Sequence, residues 1–82
     1  NKYVVSVHPN PGNTTLTLTV DGPEQRPLTL RITEISGRHV RSETIYTRTT
    51  SVDMSYLTSG LYVYTVVDAD GLVLSSGKWI KE

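Results

Sequence analysis

Leucine and threonine alternate over residues 14–20, which read TTLTLTV. Because successive side chains of a β-strand point to opposite faces, this period of two places the aliphatic residues on one face and the threonines on the other. The same alternation returns over residues 28–35, LTLRITEI. No segment shows convincingly the spacing of three and four residues that an amphipathic helix needs. The sequence therefore predicts an all-β fold of half-buried strands.

Turn-forming residues divide the chain into about seven short strands. The pair Ser36-Gly37 predicts a tight hairpin, since glycine adopts a positive φ without steric cost, and residues 68–71, DADG, predict another. Strands are expected at residues 3–7, 14–20, 28–35, 38–46, 50–54, 61–67 and 72–81. This pattern predicts a single domain over residues 1–82, an antiparallel β-sandwich of immunoglobulin-like character. The Cys–Trp–Cys core of antibody domains is missing.

Three segments carry more specific expectations. Residues 61–67, LYVYTVV, are apolar on both faces and predict a central strand covered above and below. Residues 38–46 have a polar face that suits an edge strand. Gly77, inside the last predicted strand, indicates a β-bulge or a close approach of another group to the backbone.

The charge balance argues against a nucleic-acid partner. Eight basic and eight acidic side chains give a net charge of +0, whereas nucleic-acid binders usually have a basic excess. The arginines of the middle segment alternate with Glu24, Glu34 and Glu43, which we interpret as solvated strand faces with weak ion pairs. The chain has no cysteine, so no disulfide stabilises it. Either the apolar core stabilises the fold alone, or the domain is stabilised by contact with a larger neighbouring domain.

The sequence offers no constellation for catalysis. His8 lies in a proline turn and His39 on a predicted edge strand, and no nucleophile elbow or metalloprotease motif accompanies them. Asp68 and Asp70 supply too few oxygens for calcium, so a hairpin turn is the favoured interpretation. We therefore predict a domain that is not an enzyme and uses no cofactor.

Four short motifs stand out from this background. They are the Pro-Asn-Pro turn, the Ser36-Gly37 turn after ITEI, the segment SGLYVYTV, and the lysine-bearing end GKWIKE. Each has a purely structural interpretation when taken alone. Proline fixes φ and ends strand pairing, glycine forms turns, and terminal lysines protect an edge strand from aggregation.

Taken together and in order, these motifs resemble a known family. VHPNPGNTTLTLTV, EISGRHV, LTSGLY and GKWIKE are similar to the C-terminal sorting domains of type IX secretion system cargo proteins. That resemblance covers nearly the whole chain. The sequence departs from the family pattern at His8, where an aromatic residue is common, and at Glu34 and Ser36, where aspartate and asparagine are common. Trp79 in the last strand is also less usual.

The resemblance implies a sorting signal rather than an enzyme. Such domains direct a folded cargo from the periplasm across the outer membrane, to the cell surface or the extracellular space. Implied partners are the translocon, its shuttle components, a sortase that cleaves the domain, and the anionic lipopolysaccharide that receives the cargo. Candidate recognition residues are Pro9, Asn10, Pro11, Gly37, Gly60, Tyr62, Lys78, Trp79 and Lys81.

A physical hypothesis accompanies this role. The Pro9–Pro11 turn is stiff, and the last strand is expected to carry the cationic heads of Lys78 and Lys81 beside an exposed or half-buried Trp79. Pairing of the first and last strands would bring the two landmarks together. Gly77 would also serve as the hinge of a strand-swapped homodimer.

The residues alone are also compatible with other functions. The domain could be a retained docking module of the secretion machinery, because the sequence does not separate cleaved from retained domains. It could also be an adhesive or carbohydrate-binding sandwich, a class that usually displays a row of exposed aromatics. Tyr62 and Tyr64 share one face of the predicted central strand, where core packing is the favoured use of at least one of them. A third alternative is a structural sandwich that supports an adjacent catalytic domain.

Overall fold

The structure is a computed structural model that describes residues 3–9, 12–22 and 27–82. All of its regular elements are β-strands: β1 (Val4–His8), β2 (Thr15–Asp21), β3 (Leu28–Glu34), β4 (His39–Ile45), β5 (Thr49–Asp53), β6 (Gly60–Val67) and β7 (Val73–Lys81). The prediction of an all-β fold with about seven strands is confirmed. Within the described residues, no helix has the length and apolar character that a membrane crossing requires.

The strands form two antiparallel sheets. One has the order β1-β2-β5 and the other the order β4-β3-β6-β7. The sequence placed residues 61–67 centrally and residues 38–46 at an edge, and both placements are confirmed. The edge strands are β1 and β5 in one sheet and β4 and β7 in the other. On one side of the sandwich β1 lies near β7, and on the other side β5 lies near β4.

The alternating strands β2 and β3 build the centre of the core. Their aliphatic side chains point between the sheets, and the threonines of β2 lie half-buried on the opposite face. Burial of one large aliphatic side chain contributes roughly 1.5–3 kcal/mol, so this alternation is the main reason why the sheets stack. The core consists of Leu16, Leu18, Val20, Leu28, Leu30, Ile32, Ile45, Val52, Met54, Tyr62, Val66, Leu74 and Trp79.

The two faces of β6 have different environments. The face with Tyr62 and Val66 packs into the core, whereas Leu61, Val63 and Thr65 on the other face are only half-buried. The expectation that this strand is covered above and below was wrong. A sandwich has two layers, so an interior strand is flanked by strands on both edges but covered by another sheet on one face only.

The hairpins that join β3 to β4 and β6 to β7 have the same geometry. In the first, the Glu34 N–H donates to the Arg38 carbonyl and the Gly37 N–H to the Glu34 carbonyl, each at 2.8 Å. The same pair of bonds, at 3.0 Å each, closes the second hairpin over residues 68–72. Gly37 and Gly71 have φ angles of +97° and +85°. Each loop therefore has three residues with a left-handed glycine last, so the tight hairpin expected at Ser36-Gly37 is present and includes Ile35 as its first loop residue.

Gly77 marks a close approach and not a bulge. It pairs directly with Tyr64, while the register shift between β6 and β7 lies between Val66 and Val67. A Cβ atom on Gly77 would lie 2.5 Å from the Tyr64 hydroxyl oxygen. Of the two alternatives drawn from the sequence, close packing of a side chain on the glycine is the one observed.

Candidate functional site

The turn after β1 is attached to the end of β7. The Trp79 indole Nε1–H donates a hydrogen bond to the Pro9 carbonyl oxygen at 2.6 Å. The Gly12 N–H donates to the Ile80 carbonyl, and the Glu82 N–H donates to the Gly12 carbonyl, both at 2.8 Å. These bonds run between the two sheets, so the first turn of the chain and its last strand form one structural unit.

The expected pairing of the first and last strands was wrong, although their proximity was anticipated. The strand β1 pairs with β2 and β7 pairs with β6, because β1 and β7 are edges of different sheets. The link is made by the turn residues Pro9 and Gly12 instead. Pro9 follows a cis peptide bond from His8. Asn10 and Pro11, the rest of the predicted Pro-Asn-Pro landmark, lie outside the described residues.

Gly12 is required by its packing and was missed by the sequence analysis. A Cβ atom at this position would lie 2.5 Å from Cζ2 of Trp79 and 2.9 Å from the Pro9 carbonyl oxygen. No side chain fits there unless the backbone or the indole moves. The available signal was a glycine directly after the second proline, but the need for it arises from an indole far away in the sequence.

Trp79 is a core residue and not a surface landmark. Its side chain is 0% exposed, so the expectation of an exposed or half-buried indole was wrong. It lies opposite Tyr62 in the sheet, and the two rings pack with centroids 6.4 Å apart at an angle of 48°. A buried indole N–H needs an acceptor, and the Pro9 carbonyl provides it.

The two lysines of β7 have opposite environments. Lys78 is exposed, whereas Lys81 is only 7% exposed and its ammonium group donates to the Glu82 carbonyl at 3.4 Å. Lys81 lies two residues after Trp79 in the strand, so its side chain is on the same, inward-facing side. The picture of two exposed cationic heads is therefore wrong for Lys81.

Tyr62 fixes the loop between β5 and β6. Its ring is buried in the core, and its hydroxyl donates to the Thr58 carbonyl at 2.7 Å. Gly60, at the end of the loop, has a φ of +155° and begins β6. The LTSGLY motif thus forms a loop that is anchored through its tyrosine.

The EISG turn lies next to this loop. The Ile35 N–H donates to the Leu61 carbonyl at 3.3 Å, and Glu34 lies opposite Tyr62 in the sheet. Leu61 in turn lies opposite Ile80 on β7, so the turn, the loop and the last strand are neighbours on one side of the sheet.

All four motifs consequently meet at one end of the sandwich. We call this region the motif end and define it as Pro9, Gly12 and residues 34–38, 58–62 and 78–82. It includes every candidate recognition residue that the structure describes: Pro9, Gly37, Gly60, Tyr62, Lys78, Trp79 and Lys81. A shallow groove of about 300 Å³ opens there between residues 34–36 and 58–62.

The aspartates of the second hairpin serve the turn. The Asp68 carboxylate accepts hydrogen bonds from the N–H groups of Asp70 and Leu72, each at 2.9 Å, as the hairpin interpretation predicts. Throughout residues 3–9, 12–22 and 27–82, no three His, Asp or Glu side chains group in a way that could hold a metal ion.

The fold and the motif end define a small immunoglobulin-like sandwich that carries its distinguishing motifs at one end. Residues 6–82 match the family described as the secretion system C-terminal sorting domain, and the chain belongs to that family. The type IX resemblance drawn from the sequence is thereby confirmed.

A solved structure supports the fold independently. The chain is similar to a DUF3244 family protein of Bacteroides vulgatus with an immunoglobulin-like β-sandwich fold, with a TM-score of 0.72 and 17% sequence identity. The alignment covers 100% of this chain and 98% of that chain. At this identity the similarity concerns the fold alone. No curated protein matches the sequence.

Membership in the family supports a role as a type IX secretion sorting signal. Such a signal implies export of the parent protein toward the outer membrane, the cell surface or the extracellular space. Membership in this family also points to a non-catalytic domain.

Proposed function

We propose that this domain is a non-catalytic address that the type IX secretion machinery reads in folded form at the motif end. The observation that carries the proposal is the convergence of the four motifs around the buried Trp79, which bonds to Pro9 and packs on Tyr62. Segments from the start, middle and end of the chain contribute to one surface.

A surface of this kind exists only after folding. Pro9 and Trp79 are 70 positions apart in the sequence, and only the packed sandwich brings them together. A receptor that contacts the motif end therefore distinguishes a folded cargo from an unfolded one. Fixed turns also cost little conformational entropy when a partner binds them.

The finer steps of the pathway belong to the same proposal. The parent protein crosses the periplasm, is recognised by shuttle components and the translocon, and passes the outer membrane. A sortase then cleaves the domain and joins the parent to anionic lipopolysaccharide. Retention of the domain as a docking module is the alternative fate.

Tyr62 and Tyr64 do not favour the carbohydrate-binding alternative. Tyr62 is buried, and Tyr64 is half-buried and packs against the core. Sugar-binding faces present aromatic rings to solvent. These two residues do not form such a face.

A fusion experiment tests the sorting role. A reporter with an inner-membrane export signal is joined to the N-terminus of this chain and expressed in a host with the type IX system and in a matched strain without the translocon. We expect reporter outside the outer membrane only in the first strain. Equal amounts outside both strains would contradict the proposal.

A matched pair of variants tests whether the motif end is the surface that is read. Ile80 is 47% exposed at the motif end and Val73 is 55% exposed at the other end of the same strand. Ile80→Ser should reduce delivery of the reporter, while Val73→Ser should leave it unchanged. Equal effects of the two substitutions would argue against reading at this end.

A further inference from the structure

The groove at the motif end contains a carboxylate that is poorly neutralised. Among the described residues, two groups approach the Glu34 carboxylate: the Ser36 hydroxyl at 3.3 Å and the Arg38 guanidinium at 3.9 Å. The Glu34 side chain is 36% exposed and that of Arg38 is 79% exposed. An exposed pair at this distance is weak, and a carboxylate has about four acceptor positions, so the Glu34 carboxylate retains unused acceptor positions in the groove.

The walls of the groove suit a long side chain. Ile35 and Leu61 provide apolar surface, and Thr58 and Ser59 contribute polar groups to the same lining. Tyr62 also lines the groove, and its hydroxyl donates to the Thr58 carbonyl. Lysine and arginine lay an aliphatic stem along apolar surface while the charged head finds a partner, which is the combination that this groove offers.

Other occupants fit less well. Glu34 is the one carboxylate among the described residues that line the groove, whereas a calcium ion needs six or more oxygen ligands. The Glu34 carboxylate would repel an anionic ligand. A volume of about 300 Å³ is at the lower limit for small-molecule sites, about 300–1,000 Å³, and matches a single side chain better than a larger ligand.

We propose that this groove receives an arginine or lysine side chain of the protein partner that reads the domain. The inference rests on the proposed function, because it names the chemistry that the motif end recognises. Arg38 is a weak internal competitor for the same carboxylate. A basic side chain from the partner would insert with its head toward Glu34 and its stem between Ile35 and Leu61.

A titration followed by two-dimensional amide NMR tests the groove directly. The probe is N-acetyl-arginine methylamide, and the matched probe without charge is N-acetyl-norleucine methylamide. We expect saturable shifts of the Ile35, Ser36 and Gly60 amides with the arginine probe alone. Shifts elsewhere, no shifts, or equal shifts with the norleucine probe would overturn the proposal.

Three variants give the titration its specificity. Glu34→Gln keeps the size of the side chain and an acceptor for Ser36, and it should weaken binding of the arginine probe about three- to tenfold. Glu43→Gln is the control, because Glu43 is paired with Arg41 and does not line the groove. Arg38→Ala should tighten binding. Equal affinities of the wild-type chain and Glu34→Gln would overturn the proposal.

The reporter fusion separates this inference from the sorting role. Delivery of the wild-type fusion with loss of delivery in Glu34→Gln, but not in Glu43→Gln, supports the groove as a recognition site. Equal delivery of the wild-type and Glu34→Gln fusions would overturn the proposed role of the groove and leave the sorting role intact. Failure of the wild-type fusion contradicts the sorting role, and the NMR titration then decides on the groove alone.

Discussion

The indole N–H of Trp79 lies 2.6 Å from the carbonyl oxygen of Pro9, across 70 positions of sequence. This bond joins the first turn of the chain to its last strand. It also joins the surface to the core, because Trp79 is buried against Tyr62 while Pro9 is exposed. The position of the first turn therefore depends on the packing of Trp79 in the core.

The two open sides of the sandwich are closed in different ways. On the side of β1 and β7, the turn residues Pro9 and Gly12 bond to the backbone and indole of the last strand. On the side of β4 and β5, Arg41 pairs with Glu43 on its own strand and donates to the Asp53 carbonyl at 3.3 Å. One closure positions the motif end, and the other protects an edge.

Substitution of Trp79 by phenylalanine tests the bond to Pro9. Phenylalanine keeps an apolar ring in the core, but it is smaller and leaves the Pro9 carbonyl without its donor, so we expect the free energy of unfolding to fall by about 1–3 kcal/mol. Urea denaturation followed by circular dichroism measures the change. Tyr46→Phe, at an exposed tyrosine, is the control and should change stability by less than about 0.5 kcal/mol. A neutral Trp79→Phe would show that the bond contributes little.

Two glycines in close packing should differ in their tolerance of alanine. At Gly12 the new Cβ meets the buried Trp79 ring and the Pro9 backbone carbonyl, neither of which is the free end of a flexible side chain. At Gly77 it meets the hydroxyl end of the half-buried Tyr64, which can swing aside. We expect Gly12→Ala to cost about 1–3 kcal/mol and Gly77→Ala clearly less. Thermal unfolding of both variants gives the order, and the reverse order would contradict the assignment of Gly12 as the tighter site.

The fold was accessible from the sequence because its signals are local. Strict alternation in β2 and β3 identifies both the strand and its buried face, and the strand predicted at residues 61–67 differs by one residue from β6, Gly60–Val67. The glycines of the two hairpins marked the connections. Such patterns need no knowledge of which strands are neighbours.

The motif end could not be predicted in the same way. The register between β6 and β7 shifts at Val66 and Val67, and from there on the opposite set of β7 side chains faces the core. Leu74 and Trp79 are therefore both buried, although one has an even and the other an odd residue number. Alternation counted along the strand from Leu74 would place Trp79 and Lys81 on the outer face, whereas both are buried. The groove depends on the pairing of β3 with β6, and the role of Gly12 depends on a distant indole.

The charged pair of β4 should limit association through this edge. Arg41 and Glu43 share the inward-facing side of an edge strand, a position where charges discourage further strand pairing. We expect the double variant Arg41→Leu with Glu43→Leu to associate more at equal concentration. Light scattering over a dilution series measures this. The control removes the exposed Arg48–Asp21 pair by the same substitutions, and equal association of the two double variants would refute an edge effect.

The acid response of stability should depend in part on Asp53. Hydrogen bonds from the Ser55 hydroxyl and N–H, at 2.6 and 2.9 Å, hold the pKa of Asp53 below its ordinary value. A carboxyl with a lowered pKa in the folded state stabilises the fold above its unfolded pKa, and this contribution is lost as the pH falls through the folded pKa. Asp53→Asn should therefore lose less stability than wild type on acidification below about pH 4. Parallel urea midpoints from pH 6 to pH 2.5 would contradict this.

The two lysines of β7 should separate stability from recognition. Lys81 is almost fully buried with one long hydrogen bond to a carbonyl, so replacing it by methionine removes the cost of desolvating a charge. We expect Lys81→Met to raise the free energy of unfolding by about 1 kcal/mol and to leave delivery of a reporter fusion unchanged, because little of the side chain is exposed to a partner. Lys78→Met should leave stability unchanged and reduce delivery, since Lys78 is exposed at the motif end. Loss of delivery in Lys81→Met with wild-type stability would mean that the machinery opens the end of β7 when it reads the domain.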